Sequence, residues 1–189
     1  MPTPRDADAT RARLLQAATA EFAAHGIAGA RVDRIAEAAR ANKAQIYHYF
    51  GSKDGLFDAV FGAYAARAAE SEYFDAHDLA ETAGRVYDDF ERHPELTRLT
   101  SWYRLERAGS PEAIAEIAAA NEAKVAAIAA AQREGVVSDR FPAEVLLGLI
   151  LVVATSWGSL PPEFAGLETG YTSEERRRFV VDAVARLVA

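Results

Sequence analysis

No cysteine occurs among the 189 residues, which excludes disulfides, thiolate metal sites and cysteine-based catalysis. Long apolar runs are scarce too. The most apolar stretch, 145–153, extends at most to Leu160, contains Gly148 and Gly158, and stops at Pro161-Pro162. It falls short of the roughly 20 apolar residues that a membrane-spanning helix needs. The opening MPTPRDADATRAR lacks the apolar centre of a secretory signal, so a soluble cytoplasmic protein is expected. Glycine (12) and proline (7) are sparse while half of the residues are hydrophobic, a composition that favours helices around a sizeable core. Catalytic patterns are missing as well. The four histidines (His25, His48, His77, His93) show no H-E-x-x-H spacing, and there is no Gly-rich phosphate loop or nucleophile motif. The chain is therefore expected not to be an enzyme, with no cofactor and no metal site implied.

Positive charge is in deficit overall, at a formal −7, but the deficit is uneven. Residues 1–60 hold eight Lys/Arg against seven Asp/Glu, whereas residues 61–189 hold thirteen against twenty-one. Inside 31–53, five basic residues meet only Asp33 and Glu37, a local +3. Such a window means little unless it also has a nucleic-acid-binding shape.

The periodicity supplies that shape. Leu14, Leu15, Ala18 and Phe22 recur at helical spacing over about Asp8–His25, and Gly26 provides a stop. A short helix follows over about Arg31–Ala39, with Val32, Ile35, Ala36 and Ala39 on one side. Asn42 is a good N-cap for another short helix, about Lys43–Tyr49, which turns Ile46 and Phe50 toward the core. Two short helices joined by about three residues, behind a longer one, form a helix-turn-helix outline. Further helices are predicted from Ser52 to about Phe74, over Leu79–His93 and Pro94–Ala108, from Ser110-Pro111-Glu112 to Gly135, over Pro142–Ser159, and from Thr172 or Ser173 to Val188. The expected fold is all-α with about nine helices and no strand. The expected organisation is a helix-turn-helix domain over 7–54 and a ligand-binding and dimerisation domain over 55–189.

The stretch LLQAATAEFAAHGIAGARVDRIAEAARANKAQIYHYFGSKDGLF resembles the DNA-binding domain of the TetR family of transcriptional regulators. The resemblance rests on Phe22, Gly26, Ile27, Ile35, Ala36, Ala39, Tyr47, Tyr49, Phe50, Ser52, Lys53 and Leu56, about a quarter of the chain. It implies that Lys43, Ala44 and Gln45 face bases, that Tyr47, Tyr49 and Lys53 donate to phosphates, and that His48 borders the groove. Asn42 lies at the same helix end, and Arg31 and Arg34 are further DNA-facing candidates. Tyr47 and Tyr49 as core-edge residues, His48 as an ordinary surface residue, and Arg34 as the partner of Glu37 or Asp33 are the alternatives. The sequence departs from the family pattern in three ways. Arg31 stands where a Thr is usual, and Asp33-Arg34 reverses a basic-first order. Arg40 occupies a turn position that is often Gly and needs positive φ, at a cost of about 1 kcal/mol unless it gains a phosphate contact.

The resemblance also implies a double-stranded DNA operator of pseudo-palindromic form, an unidentified small-molecule effector, and a homodimer. The Pro142–Ser159 and Thr172–Val188 helices show more apolar surface than one protomer covers, which fits a dimer interface; an internal helical hairpin is the alternative. Trp102, Tyr103, Asn121 and Trp157 are the ligand-binding candidates. Asn121 interrupts the apolar stripe Ile114/Ile117/Val125/Ile128, where a polar side chain needs a partner. Arg176-Arg177-Arg178 is expected to be a solvated face. The expected function is a ligand-responsive transcriptional regulator, foremost a repressor. A helical ligand-binding protein without operator binding, an architectural DNA-binding protein and a small all-α enzyme are the alternatives.

Overall fold

A computed structural model describes residues 4–68, 74–107, 114–164, 166–167 and 170–189. Among these the chain forms nine α-helices and no strand: α1 (Pro4–Gly29), α2 (Val32–Ala38), α3 (Lys43–Phe50), α4 (Lys53–Ala68), α5 (Leu79–Arg92), α6 (Glu95–Glu106), α7 (Ala115–Arg133), α8 (Ala143–Ala154) and α9 (Ser173–Val188). The all-α expectation holds. The predicted start at Ser110-Pro111-Glu112 and the end of the fourth helix beyond Ala68 lie outside the described residues. The helices group into two compact units, 1–65 with 98–114 and 66–97 with 115–189.

In the first unit, Leu14, Ala18 and Phe22 recur every four residues along α1 and are fully buried, as a stripe of period 3.6 requires. Phe22 meets Phe57 of α4 edge-on, with ring centroids 5.2 Å apart. Ile35 of α2, Ile46 of α3 and Leu56 of α4 complete the interior. Gly26 breaks α1 with φ 67° and ψ 180°, a region essentially closed to residues with a Cβ. Helical turns resume after it, and α6 occupies the break. A Cβ on Gly26 would lie 2.8 Å from two Trp102 ring atoms. The Glu106 carboxylate accepts from the Ile27 amide at 2.9 Å, and Arg98 donates to the carbonyls of Ala23 and Ala24 at 2.6 and 3.2 Å. The orphan groups on both sides of the break are thus satisfied by one helix.

Arg40 adopts φ 50° and is the one non-glycine residue with positive φ among the described residues. The sequence expectation of strain at this turn is met, at about 1 kcal/mol. The turn is held by Arg40 N donating to Glu37 O at 3.0 Å, Ala41 N donating to Ala36 O at 2.9 Å, and Arg13 Nε donating to Ala39 O at 3.2 Å.

In the second unit, α5 packs against α9 and α8. Gly84 allows the close approach to α9, since an added Cβ would lie 2.9 Å from Arg177 Nη2 and 3.0 Å from Val181 Cγ2. The core combines Leu79, Ala83 and Tyr87 with Ile128, Leu146, Ile150, Val180 and Val184. Two expectations are corrected here. The α-helix that begins at Ala143 ends at Ala154, and a separate 3-10 turn covers Trp157–Ser159. The Thr155 and Ser156 hydroxyls donate to the carbonyls of Leu151 and Val153, a local competition with helix bonding that bends or ends helices. The Arg176–Arg178 run is not simply solvated. Arg177 bonds Glu81 at 2.6 Å and Asp88 at 2.9 Å, and Arg176 lies 5.2 Å over the Trp157 ring.

Two glycines with similar φ separate conformational strain from crowding. Gly26→Ala is expected to lower the unfolding free energy by about 3 kcal/mol or more, combining strain and overpacking. Gly51 has φ 73° and ψ −49° with open space around it, so Gly51→Ala is expected to carry backbone strain alone, about 1–3 kcal/mol. Chemical denaturation of both variants checks the order.

Candidate nucleic-acid interface and effector groove

The candidate interface is built on α3, and α3 is positioned by its own first turn. The Asn42 side chain accepts from Ala44 N at 2.9 Å, and the Gln45 side chain accepts from Asn42 N at 2.8 Å. This reciprocal capping box fixes where the helix begins. Gln45 is therefore engaged in capping and is only half exposed, whereas Asn42, Lys43, Ala44, Tyr47 and His48 are exposed. Tyr47 shows 46% of its surface. Tyr49 and Phe50 are half-buried; the Tyr49 ring packs edge-on against His48, and Arg11 covers Phe50 at 5.5 Å.

The basic candidates divide into held and unheld groups. Lys43 Nζ lies 2.8 Å from the Asp33 carboxylate of α2. This pairing holds the Asp33 carboxyl below its ordinary value and pushes the Lys43 ammonium up. Lys53 Nζ donates to the carbonyls of Ala28 and Ala30, both at 3.3 Å, so it ties α4 to the connection between α1 and α2. Arg34 is bound to the Glu21 carboxylate, with Nε at 2.9 Å and Nη2 at 2.5 Å; its partner is neither Glu37 nor Asp33. Arg31 is exposed and is engaged through its backbone, its amide donating to Glu21 Oε1 at 2.8 Å and its carbonyl accepting from Ile35 N at 3.2 Å.

Glu21 was not singled out by the sequence, because an acid at one position of a predicted helix has no signature of its own. In the structure its carboxylate connects α1 to the first turn of α2. Burial opposes its charge, but the Arg34 guanidinium and the Arg31 amide outweigh burial and leave the carboxyl below its usual value. A carboxyl lowered on folding stabilises the fold above its unfolded pKa and loses that contribution as pH falls through the folded one.

The ligand candidates occupy different surroundings. In the first unit, Tyr103 stacks on Phe61 with centroids 4.3 Å apart, and Trp102 fills the space beside Gly26. In the second unit, Asn121 is half exposed on α7. Trp157 lines a small groove of about 130 Å³ together with Tyr87, Phe90, Glu91, Pro94, Thr97, Ala154, Thr155 and Gly158. Its walls combine three aromatic rings, two threonine hydroxyls and one carboxylate. Glu91 accepts from Ser173 Oγ at 2.9 Å, and that hydroxyl also meets Tyr87 Oη at 3.2 Å. The lining residues other than Trp157 were not legible in the sequence as a group, because they come from four separate segments.

Glu21→Gln is expected to lower stability at pH 7 by about 1–3 kcal/mol, the range for a bonded charged group. The wild type should lose stability as pH drops below about 4.5, and the variant should lose less across the same window. Thermal or urea unfolding from pH 7 to pH 3 checks both.

Residues 14–60 match the family described as bacterial regulatory proteins, tetR family, and residues 78–186 match the tetracyclin repressor-like C-terminal domain. The chain is 42% identical over 168 residues to the HTH-type transcriptional repressor SCO4008 of Streptomyces coelicolor, covering 88% of this chain and 86% of that one. Over 102 residues, half of this chain and 48% of its relative, it is 34% identical to the HTH-type transcriptional repressor NicS of Pseudomonas putida. The crystal structure of SCO4942 from Streptomyces coelicolor superposes with a TM-score of 0.82 at 36% identity, covering 95% of this chain and 98% of that one. A helix-turn-helix head with a capped third helix, an all-helical second unit and matches spanning both place this chain in the TetR family of transcriptional regulators.

Proposed function

We propose that the chain is a homodimeric repressor whose α3 enters the major groove of a pseudo-palindromic operator, and that an effector in the second unit's groove releases it. The observation that carries this reading is the exposed N-terminal end of α3. Asn42, Lys43 and Ala44 project from a helix whose start is fixed by its capping box, and in a helix-turn-helix that end meets base edges. Lys43 donates to guanine O6 or N7 once it leaves Asp33, and Ala44 leaves room for a thymine methyl. Tyr47 and His48, further along the exposed side, meet the flanking backbone, and such contacts set register without reading sequence. Gln45 acts first through the cap and reads a base only from the position that the cap gives it.

The dimer reading is supported by the surface of α8 and α9. Val145, Leu151 and Val152 of α8 and Phe179 of α9 are exposed on a single protomer, Val152 by 64%. Buried in a second copy, they supply the apolar centre that a stable interface requires. A two-fold axis then doubles the α3 helix and makes the operator a repeated half-site.

The groove favours an effector that donates a hydrogen bond to Glu91 and lays an apolar face against Tyr87, Phe90 and Trp157. FadR of Bacillus subtilis shares the fold, with a TM-score of 0.70 at 15% identity, and its structure holds stearoyl-CoA; that likeness is of fold, and the acyl chain is not carried over. Pro94 and Thr97, next to and within the first turn of α6, line the groove. From Arg98 onward the same helix belongs to the first unit, where Arg98, Trp102 and Glu106 hold the break at Gly26. A ligand that prefers one position of the first turn of α6 therefore biases the head, which is coupling by differential affinity.

Operator binding separates the roles of the α3 residues. Tyr47→Phe is expected to weaken binding to all sequences several-fold, while Lys43→Ala changes which operator is preferred. Val152→Asp is expected to give monomers in sedimentation and to lose operator binding. Fluorescence anisotropy on duplexes from the DNA upstream of its own gene, with a scrambled control, measures both. A wild-type chain that does not distinguish the two duplexes at about 150 mM salt contradicts the repressor reading.

A further inference from the structure

We propose that Arg40, in the turn between α2 and α3, is a phosphate-binding residue of the operator complex, retained in a strained backbone position for that purpose. The inference rests on the repressor reading and adds to it a residue for which the fold itself has no use. Of the five cations between 31 and 53, Arg34, Lys43 and Lys53 are held by protein partners. Arg31 and Arg40 have side chains with no hydrogen bond or ion pair among the described residues. Arg31 has an ordinary extended backbone, with φ −117° and ψ 120°. Arg40 does not: at φ 50° it lies in the left-handed region that glycine occupies without penalty and that asparagine tolerates.

Every interaction seen at Arg40 uses backbone atoms that a glycine or asparagine would also supply. Its amide donates to Glu37 O, and the following amide donates to Ala36 O. The exposed guanidinium therefore contributes nothing visible to the folded head, while its backbone bears a cost that a smaller residue would avoid. Strained residues persist where the strained conformation serves a site. Arg40 stands two residues before the Asn42 cap, beside the helix end assigned to the DNA. A guanidinium there has the fork geometry that grips phosphate oxygens. Asp33 and Glu37, the two acids of this window, do not neutralise it. Asp33 is paired with Lys43, and no bond or ion pair joins Glu37 to Arg40 beyond the backbone.

The test compares Arg40→Gly, Arg40→Asn and Arg40→Lys in the full chain, by thermal unfolding and by operator binding between about 50 and 300 mM salt. Gly and Asn are expected to melt at or above the wild-type temperature and yet bind several-fold more weakly. Their slope of log K against log salt should be shallower by about 0.9 for each Arg40 in the complex. Arg40→Lys should keep the wild-type slope. Wild-type affinity and slope in the Gly and Asn variants would overturn the proposal while leaving the repressor reading intact. Equal losses in all three with unchanged slope would overturn it too, because they would point to turn shape instead of charge. A wild-type chain without selective binding would remove the repressor reading and the proposal together.

Discussion

The geometry of the DNA-binding head depends on one carboxylate. Glu21, half-buried on α1, receives both the first amide of the α2 entry and the forked guanidinium of Arg34. Hydrophobic contact alone is non-directional and would let α2 slide along α1. A half-buried charge that must be paired allows fewer arrangements, since leaving it unpaired costs more than leaving a neutral group unpaired. Once α2 is fixed, the short turn at Arg40 and the Asn42–Gln45 box leave α3 one direction in which to leave the core. The Phe22–Phe57 pair and Ile46 then supply the bulk of the burial behind that direction.

A second constraint sits at Gly26. There, α6 fills a space that only glycine leaves open, and its Arg98 and Glu106 satisfy carbonyls and amides on opposite sides of the break. Most helix ends are capped by residues next to them in the chain; this break is capped from residues about eighty positions away. A local interruption in α1 thereby becomes a docking point for α6.

Much of the head was legible from residue types with a narrow physical use. Gly26 announces a break because it alone adopts that φ and ψ, and Asn42 announces a helix start because its oxygen suits free amides. Arg40 was legible as strained for the inverse reason, being a residue in a place that demands glycine-like backbone. The chemistry of the cations was less legible. A lysine in sequence shows a charge but not its partner, so Lys53 bonding the carbonyls of Ala28 and Ala30, and Lys43 paired across to α2, emerge only in three dimensions. Gln45 carries two readings, cap and base contact, and spacing alone does not rank them. Trp102 and Tyr103 show the limit for the second half of the chain: aromatic residues at helical spacing signal burial, and both are used to pack the first unit. The groove around Trp157 escaped because its other lining residues, from α5, the start of α6, the end of α8 and the 3-10 turn, have no shared sequence pattern.

The central claim is that two copies of α3, related by a two-fold axis, read a repeated half-site. Selection of bound duplexes from a random pool by the purified chain tests it most directly. The expected result is enrichment of an inverted repeat with half-site centres separated by about one helical turn, about 10–10.5 base pairs, or a multiple of it. Enrichment of a single unrepeated site, or no enrichment at all, would contradict it.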